Sequence, residues 1–193
     1  MKPFIIMIIS VTTAIDTMQA NAAGAENSCK DYDVFVLRHL EKQEDGTKDP
    51  SLTKAGKAQA QQLAELPMIS DVSHAFYTPY KRTYETLEFI ETDKTSYDPK
   101  QTDELIATIK REHCGKTVLV AGHSNTVPNI IKALGGNFTI TYAGQKLDVE
   151  PTVLLSEKDY GSVFRVTFHN GRIHQQLYKL HYVGKEGRAL QNR

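Results

Sequence analysis

The chain has 193 residues, of which 40% are apolar and 24% are charged. This is the composition of a globular chain with one ordinary domain, and it argues against a disordered or fibrous protein. The 23 basic residues balance the 23 acidic ones, so no net charge attracts the chain to nucleic acid or to an anionic membrane surface.

The first predicted segment is a secretory signal peptide over residues 1–22. Lys2 gives a positive start, an apolar stretch begins at Phe4, and Ala20-Asn21-Ala22 has the small-x-small pattern of a cleavage site. The apolar run is shorter than the roughly 20 residues that cross a bilayer, and a retained anchor is the alternative. Cleavage after Ala22 predicts a single mature domain, residues 23–193, that is periplasmic or secreted and has no stable membrane insertion.

Strands and helices are predicted to alternate along the first part of this domain. Short apolar runs, typical of buried parallel strands, predict strands at 33–37, 75–77 and 117–121. Amphipathic spacing together with cap residues predicts helices at 53–66, 78–89, 102–113 and 126–134. Thr53 is the expected cap of the first helix, and Thr78 with Pro79 is expected to open the second.

The last part of the chain is predicted to contain consecutive strands, at 153–155, 163–168 and 173–180. Asn170-Gly171 joins the last two, and this dipeptide strongly favours a β-hairpin. The alternation of strands and helices, followed by a β-hairpin, predicts an α/β fold. We expect a three-layer sandwich, with a mostly parallel central sheet, helices on both faces and an antiparallel edge hairpin.

Two of the predicted strands end in histidine, at Arg38-His39 and at Gly122-His123, and Arg82 lies one turn into the helix after another strand. Ligands bind at the carboxyl ends of the strands in open α/β sheets, so these side chains share a crevice if the strands are neighbours. Two imidazoles and two guanidiniums in one crevice would form a binding site for a phosphoryl group, because arginine donates paired hydrogen bonds to phosphate oxygens. The carboxylates nearby in sequence form no ligand cluster with the histidines, so neither a metal nor another cofactor is predicted.

Four segments in this order resemble the histidine phosphatase (phosphoglycerate mutase-like) superfamily. They are Leu37-Arg38-His39, LTKAGKAQA at 52–60, TPYKRTYET at 78–86 and GHSNT at 122–126. The resemblance implies that His39 is the nucleophile that becomes phosphohistidine. It also implies that Arg38 and Arg82 clamp the phosphate, and that His123 holds the transferring group.

The sequence departs from the family pattern next to the first histidine. The family commonly has a small residue there, whereas this chain has Leu40-Glu41-Lys42, which is closer to an exported subgroup. The family's general acid usually lies some way after the second helix. Asp98 lies at the corresponding distance after the second predicted helix and is therefore the favoured proton donor. Glu41 is the alternative proton donor.

The resemblance, the predicted signal peptide and the lack of a metal-ligand cluster together predict an exported, metal-independent phosphomonoesterase that acts on a small phosphorylated substrate through a phosphohistidine intermediate. Only 40 residues separate Arg82 from His123, which leaves little room for a lid that would keep water from the phosphoenzyme. The alternatives are a phosphotransferase or mutase of the same superfamily, and a non-catalytic module that binds a phosphorylated ligand. The sequence carries no signal for the substrate's identity or for an oligomeric state.

Two cysteines, Cys29 and Cys114, each lie a few residues before a strand that ends in one of these histidines. If those strands are parallel neighbours in register, the two Cα atoms come within about 5.5 Å, which is disulfide distance. An oxidising compartment would then close the bond. The alternative is a pair of free thiols.

Overall fold

The structure is a computed structural model, and it describes residues 29–138, 141–142, 145–146 and 153–180. The strands of this part are β1 (Asp31–Arg38), β2 (Val72–Tyr77), β3 (Lys94–Ser96), β4 (Thr117–Gly122), β5 (Thr141–Tyr142), β6 (Gln145–Lys146), β7 (Ser162–His169) and β8 (Arg172–Lys179). The helices are α1 (Lys54–Glu65), α2 (Lys81–Thr86), α3 (Thr102–Glu112) and α4 (Thr126–Ala133), with a 3-10 turn at Pro67–Ile69.

Six of these strands form one sheet in the order β3-β2-β4-β1-β7-β8, and β5 pairs with β6 separately. Strands β1 to β4 are parallel to one another, whereas β7 runs antiparallel to β1, and β8 runs antiparallel to β7. The turn between β7 and β8 uses positive φ angles of 49° at Asn170 and 75° at Gly171. The predicted α/β sandwich with an antiparallel edge hairpin is therefore confirmed.

Helices cover both faces of the sheet, because alternate residues of its strands point into two separate apolar clusters. On β1, Val34 and Val36 pack in one cluster with Ile109 of α3 and Ile130 of α4. Phe35 and Leu37 pack in the other cluster, which also holds residues of α1. Strands buried on both faces explain the continuous apolar runs of β1 and β4.

The first helix begins as predicted, because the Thr53 hydroxyl accepts a hydrogen bond from the Gly56 N–H. The second helix is shorter than predicted, and Thr78 does not cap it. The Lys81 N–H instead donates to Oδ1 of Asp49, 2.9 Å away. This cap comes from a residue 32 positions earlier in the chain, so local sequence pattern did not indicate it.

The strand predicted at 153–155 is wrong, since this segment is irregular in the structure. Its Leu155 N–H donates to the backbone oxygen of Ser124, 2.9 Å away. The irregular segment is thereby attached to the turn that follows β4. This attachment brings residues 156–160 to the carboxyl end of the sheet.

A disulfide joins Cys29 to Cys114, with their Cα atoms 5.4 Å apart. The pairing of Asp33 on β1 with Thr117 on β4 brings the two strand starts together, in agreement with the prediction. The predicted signal peptide over residues 1–22 lies outside the described residues. In the described part of the chain, no helix has the length and apolar character to cross a membrane.

Candidate active site

The two predicted histidines lie side by side because β1 and β4 are parallel and in register. Arg38 is opposite Gly122, and the His39 N–H extends the pairing by donating to the Gly122 oxygen at 2.9 Å. His123 directly follows the last residue of β4, and the centroids of the two imidazole rings are 5.5 Å apart. The strand-end crevice expected from the sequence is therefore present.

A tight turn after β4 holds His123 in this place. Its backbone N–H donates to Oγ1 of Thr126, the first residue of α4, at 2.7 Å. A Cβ at Gly122 would lie 2.5 Å from the same oxygen, which is too close for any side chain. Glycine at position 122 thus allows the strand to turn directly into α4.

The crevice is a cavity of about 420 Å³. It brings together four of the predicted site residues: Arg38, His39, Arg82 and His123. The remaining lining residues come from the loops around the strand ends and were not predicted as site residues: Lys42, Tyr80, Pro99, Lys100, Ser124, Asn125, Thr126 and Glu157.

The hydrogen bond of His39 defines which of its ring nitrogens is free. Nδ1 lies 2.9 Å from the backbone oxygen of Leu40. A carbonyl oxygen only accepts, so Nδ1 carries the proton, and Nε2 of the neutral ring keeps its lone pair. His39 therefore has the tautomer that a nucleophile acting through Nε2 requires.

A chain of buried hydroxyls defines the tautomer of His123. The Thr83 hydroxyl lies 2.7 Å from the Thr78 oxygen and 2.8 Å from the Tyr80 oxygen, so its single proton goes to one of these carbonyls. Thr78 Oγ1, 3.0 Å from Thr83 Oγ1, must then donate to Thr83. It is therefore the acceptor for His123 Nε2, which lies 2.8 Å away. Neutral His123 thus carries its proton on Nε2, and its Nδ1 is unprotonated.

Both rings are held in the neutral form at neutral pH. The pKa of His39 is lowered to about 3, mainly by burial and in smaller part by the charges of Arg38, His123 and Arg82, against the opposing effect of the Leu40 hydrogen bond. Burial and, in smaller part, the charges of Arg82 and Arg38 together lower the pKa of His123 to about 4. A neutral His39 ring is the form with a nucleophilic nitrogen.

The two arginines carry hydrogen-bond donors that are not used by the described residues. Nε of Arg38, and Nε and Nη1 of Arg82, are buried without a hydrogen-bond partner in the described part of the chain. Arg82 Nη1 is 3.6 Å from Asp49 Oδ1, an ion pair too long for a hydrogen bond. Buried donors without partners are rare in folded proteins. Their place beside an open cavity suits a bound anion such as a phosphoryl group.

The other two nitrogens of Arg38 bind the irregular segment before β7. Nη1 donates to the backbone oxygen of Ser156 at 2.7 Å, and Nη2 donates to Oε2 of Glu157 at 2.6 Å. The hydroxyl of Ser124 donates to the other carboxylate oxygen of Glu157 at 3.3 Å. Sequence reasoning missed Glu157, because it lies outside every recognised motif, in a segment predicted to start with a strand.

The two carboxylates predicted as proton donors do not line this cavity. Asp98 lines a different cavity beside α3, and its Oδ1 accepts the Lys100 N–H at 2.9 Å in the turn before that helix. Asp98 therefore has the ordinary role of a turn residue, and the structure does not bring it to the histidines. The backbone oxygen of Glu41 accepts the Thr53 N–H, and its side chain is also outside the lining of the histidine cavity.

The chain resembles known proteins in both sequence and fold. Residues 34–106 match the family model "Histidine phosphatase superfamily (branch 1)". None of the curated proteins matches the chain in sequence. Similar solved structures include a putative alpha-ribazole-5'-P phosphatase from Escherichia coli, with a TM-score of 0.54 and 14% identity, covering 80% of this chain and 99% of that chain.

Two further solved structures have comparable similarity. A putative phosphohistidine phosphatase SixA from Nakamurella multipartitia has a TM-score of 0.51 and 19% identity, covering 80% of this chain and 98% of that one. A phosphoserine phosphatase mutant from Entamoeba histolytica has a TM-score of 0.55 and 14% identity, covering 79% of this chain and 99% of that one. The matched segment contains Arg38, His39 and Arg82. Sequence similarity to the histidine phosphatase superfamily (branch 1) thus covers the segment that carries these three side chains, and the solved structures share the fold of the chain.

Proposed function

We propose that this chain is an exported phosphomonoesterase that hydrolyses a small phosphorylated substrate through a phosphohistidine on His39, without a metal ion. The observation that carries the proposal is the pairing of two features in one cavity. One is the unprotonated Nε2 of His39, and the other is the set of unpartnered donors on Arg38 and Arg82.

The first chemical step transfers the phosphoryl group to the enzyme. Nε2 of His39 attacks phosphorus, the bond to the leaving-group oxygen breaks, and a proton is delivered to that oxygen. Charge develops on the equatorial phosphoryl oxygens, and fixed guanidinium donors stabilise such charge without reorganisation. The arginines thus supply the positive charge that a metal ion supplies in other phosphatases.

The second step returns the enzyme to its starting state. Water attacks phosphorus, the bond to Nε2 of His39 breaks, and inorganic phosphate leaves. The segment between Arg82 and His123 is taken up by the end of α2, then β3, α3 and β4. It supplies no lid to exclude water, which favours hydrolysis over transfer to a second acceptor.

The cavity suits a small anionic substrate. Its volume of about 420 Å³ leaves room beyond a phosphoryl group, and its lining carries four cationic side chains against one carboxylate: Arg38, Lys42, Arg82 and Lys100 against Glu157. The solved structures with this fold include proteins described as a putative alpha-ribazole-5'-P phosphatase, a putative phosphohistidine phosphatase and a phosphoserine phosphatase. A phosphate ester with an exposed, polar leaving group is the substrate class that we infer.

Export rests on the amino-terminal pattern and on the disulfide. The bond between Cys29 and Cys114 suits an oxidising compartment such as a bacterial periplasm. Mass spectrometry of the mature protein should give an amino terminus at Ala23. An unprocessed amino terminus would favour a retained anchor or an internal location.

The proposed activity is tested by phosphate release from a panel of phosphomonoesters, with and without EDTA. We expect turnover that a chelator leaves intact, and rapid acid-labile labelling of the wild-type chain from a labelled substrate. His39→Ala should lose both the label and the turnover. Turnover by His39→Ala at the wild-type rate would overturn the mechanism, and transfer of the label to a second alcohol rather than to water would favour the mutase alternative.

A further inference from the structure

The carboxylate of Glu157 is the acidic group that lines the His39 cavity in the described part of the chain. It is held from two sides, by Arg38 Nη2 at 2.6 Å and by the Ser124 hydroxyl at 3.3 Å. The two carboxylates that the sequence suggested as proton donors, Asp98 and Glu41, are absent from that lining. The cavity therefore holds one carboxylate that could exchange a proton with a bound substrate.

The side chain of Glu157 is far more exposed than the Arg38 side chain that it binds. Its side chain is 76% exposed, whereas that of Arg38 is 3% exposed. The guanidinium is therefore fixed, and the carboxylate can leave it when a phosphoryl group arrives. The segment that carries Glu157 stays in place, because Ser156 and Leu155 are tied to Arg38 and Ser124 through their backbone atoms.

We propose that Glu157 is the catalytic residue that gives a proton to the leaving group and later takes one from the attacking water. This inference rests on the proposed phosphatase function. In the first step the carboxylic acid of Glu157 donates its proton to the leaving-group oxygen as that oxygen separates from phosphorus, and an alcohol is released. In the second step the Glu157 carboxylate accepts a proton from water as water's oxygen bonds to phosphorus, which restores the acid.

The charges around Glu157 explain how the group changes its protonation state. In the unliganded chain, the hydrogen bond and the charge of Arg38 lower its pKa, and Ser124 and Lys42 act in the same direction. The same segment carries three further titratable groups: Lys158, Asp159 and Tyr160, whose ring contacts Arg38. A phosphoryl dianion that binds Arg38 removes the main stabilising partner and adds a like charge. Both changes raise the pKa of the carboxyl group, so substrate binding favours proton uptake.

Leaving-group dependence provides the first test. Glu157→Gln keeps the size of the side chain but cannot transfer a proton. We expect kcat/KM to fall by roughly a hundredfold or more on an alkyl phosphate, and by less than about tenfold on p-nitrophenyl phosphate, whose leaving group needs no proton. Glu88→Gln, at an exposed position outside the cavity, is the matched control and should leave both rates unchanged.

Proton uptake provides a second readout that does not depend on turnover. Sulfate is a dianion that does not titrate near neutral pH, so calorimetry of sulfate binding in buffers of different ionisation enthalpy counts the protons taken up by the protein. The wild-type chain should take up close to one proton, and Glu157→Gln should take up clearly fewer.

Three results would overturn the proposal. Equal losses on both esters would make Glu157 a structural partner of Arg38. A gain in activity together with tighter sulfate binding by Glu157→Gln would make the carboxylate an inhibitory occupant of the cavity. A loss confined to poor leaving groups in Asp98→Asn, with Glu157→Gln unaffected, would restore the prediction from sequence. If the wild-type chain hydrolyses no ester at all, the proposed function fails first.

Discussion

Nδ1 of His39 lies 2.9 Å from the backbone oxygen of Leu40, the next residue in the chain. The acceptor is a main-chain atom, so the orientation of the ring does not depend on the Leu40 side chain. The Leu40 N–H is itself fixed, because it donates to the Thr86 hydroxyl of α2 at 3.0 Å. The orientation of the proposed nucleophile is thus set by β1 and α2 together.

Low pH should destabilise the folded protein through the buried His39 and the half-buried His123. In the unfolded chain each titrates near its ordinary pKa of about 6.5, whereas in the folded chain the values are about 3 for His39 and about 4 for His123. From about pH 6.5 downward the unfolded chain binds protons that the folded chain does not, so the free energy of unfolding falls as the pH falls. At about 1.4 kcal/mol per pKa unit, His39 alone accounts for several kcal/mol near pH 3.

Urea unfolding at a series of pH values between 7 and 4 measures this effect. His39→Gln should lose less stability on acidification than the wild-type chain does. His174→Gln, at an exposed position on β8, is the control and should follow the wild-type curve. Parallel curves for all three proteins would show that His39 titrates normally in the folded state.

Arg82 should stabilise the transition state more than the substrate complex. Its Nε and Nη1 are buried and unpartnered within the described residues, and the Arg82 side chain lines the cavity proposed to bind the phosphoryl group. Arg82→Ala should cost at least about 2 kcal/mol of transition-state stabilisation, or roughly thirtyfold in kcat/KM. Arg82→Lys should recover little, since an ammonium group lacks the planar pair of donors. Arg111→Ala, a change to an exposed arginine, is the control, and a similar loss there would indicate a general effect of charge.

Thr78 should affect turnover by orienting the His123 ring. Its hydroxyl accepts the Nε2 proton of His123 at 2.8 Å. Thr78→Val keeps the shape of the side chain but leaves the buried Nε2–H without its partner, which costs about 1–3 kcal/mol of stability. Turnover should fall by about tenfold, the equivalent of one ordinary hydrogen bond. Thr78→Ser keeps the hydroxyl and should restore turnover.

The ring ¹⁵N chemical shifts of His123 separate this positioning role from a general loss of stability. In the wild-type chain and in Thr78→Ser they should report a proton on Nε2. In Thr78→Val the two tautomers should mix. An unchanged Nε2–H signal in Thr78→Val would mean that other contacts fix the ring.

Local patterns predicted the parts of the structure that depend on neighbouring residues. Apolar runs located β1 and β4, the Thr53 cap located α1, and Asn170-Gly171 located the edge hairpin. The strands that precede His39 and His123 lie at the centre of the sheet. The general tendency of ligands to bind at the carboxyl ends of parallel strands was therefore sufficient to predict that the two histidines share a site.

The differences between the sequence predictions and the structure concern residues whose partners are distant in sequence. Thr78 looked like a helix cap, but its hydroxyl binds His123, 45 positions later. Asp98 looked like a strand-end acid, but the turn before α3 directs it toward another cavity. Glu157 had no local signal, because its place beside Arg38 depends on a contact across 119 positions. Sequence spacing carries no information on such contacts.

The disulfide should matter for stability and not for catalysis, because it lies at the opposite end of the two strands from the histidines. Cys29 and Cys114 precede β1 and β4, whereas His39 and His123 follow them. The bond closes a loop with a sequence separation of 85, for which the chain-entropy model gives about 4 kcal/mol of stabilisation as an upper estimate.

The double variant Cys29→Ser/Cys114→Ser should therefore unfold at a temperature lower by about 10 °C, with kcat unchanged at a temperature where both proteins are folded. Reduced wild-type protein is the control and should match the double variant. Two free thiols in the unreduced, unfolded wild-type chain would remove the bond from this account, and with it one of the two arguments for export.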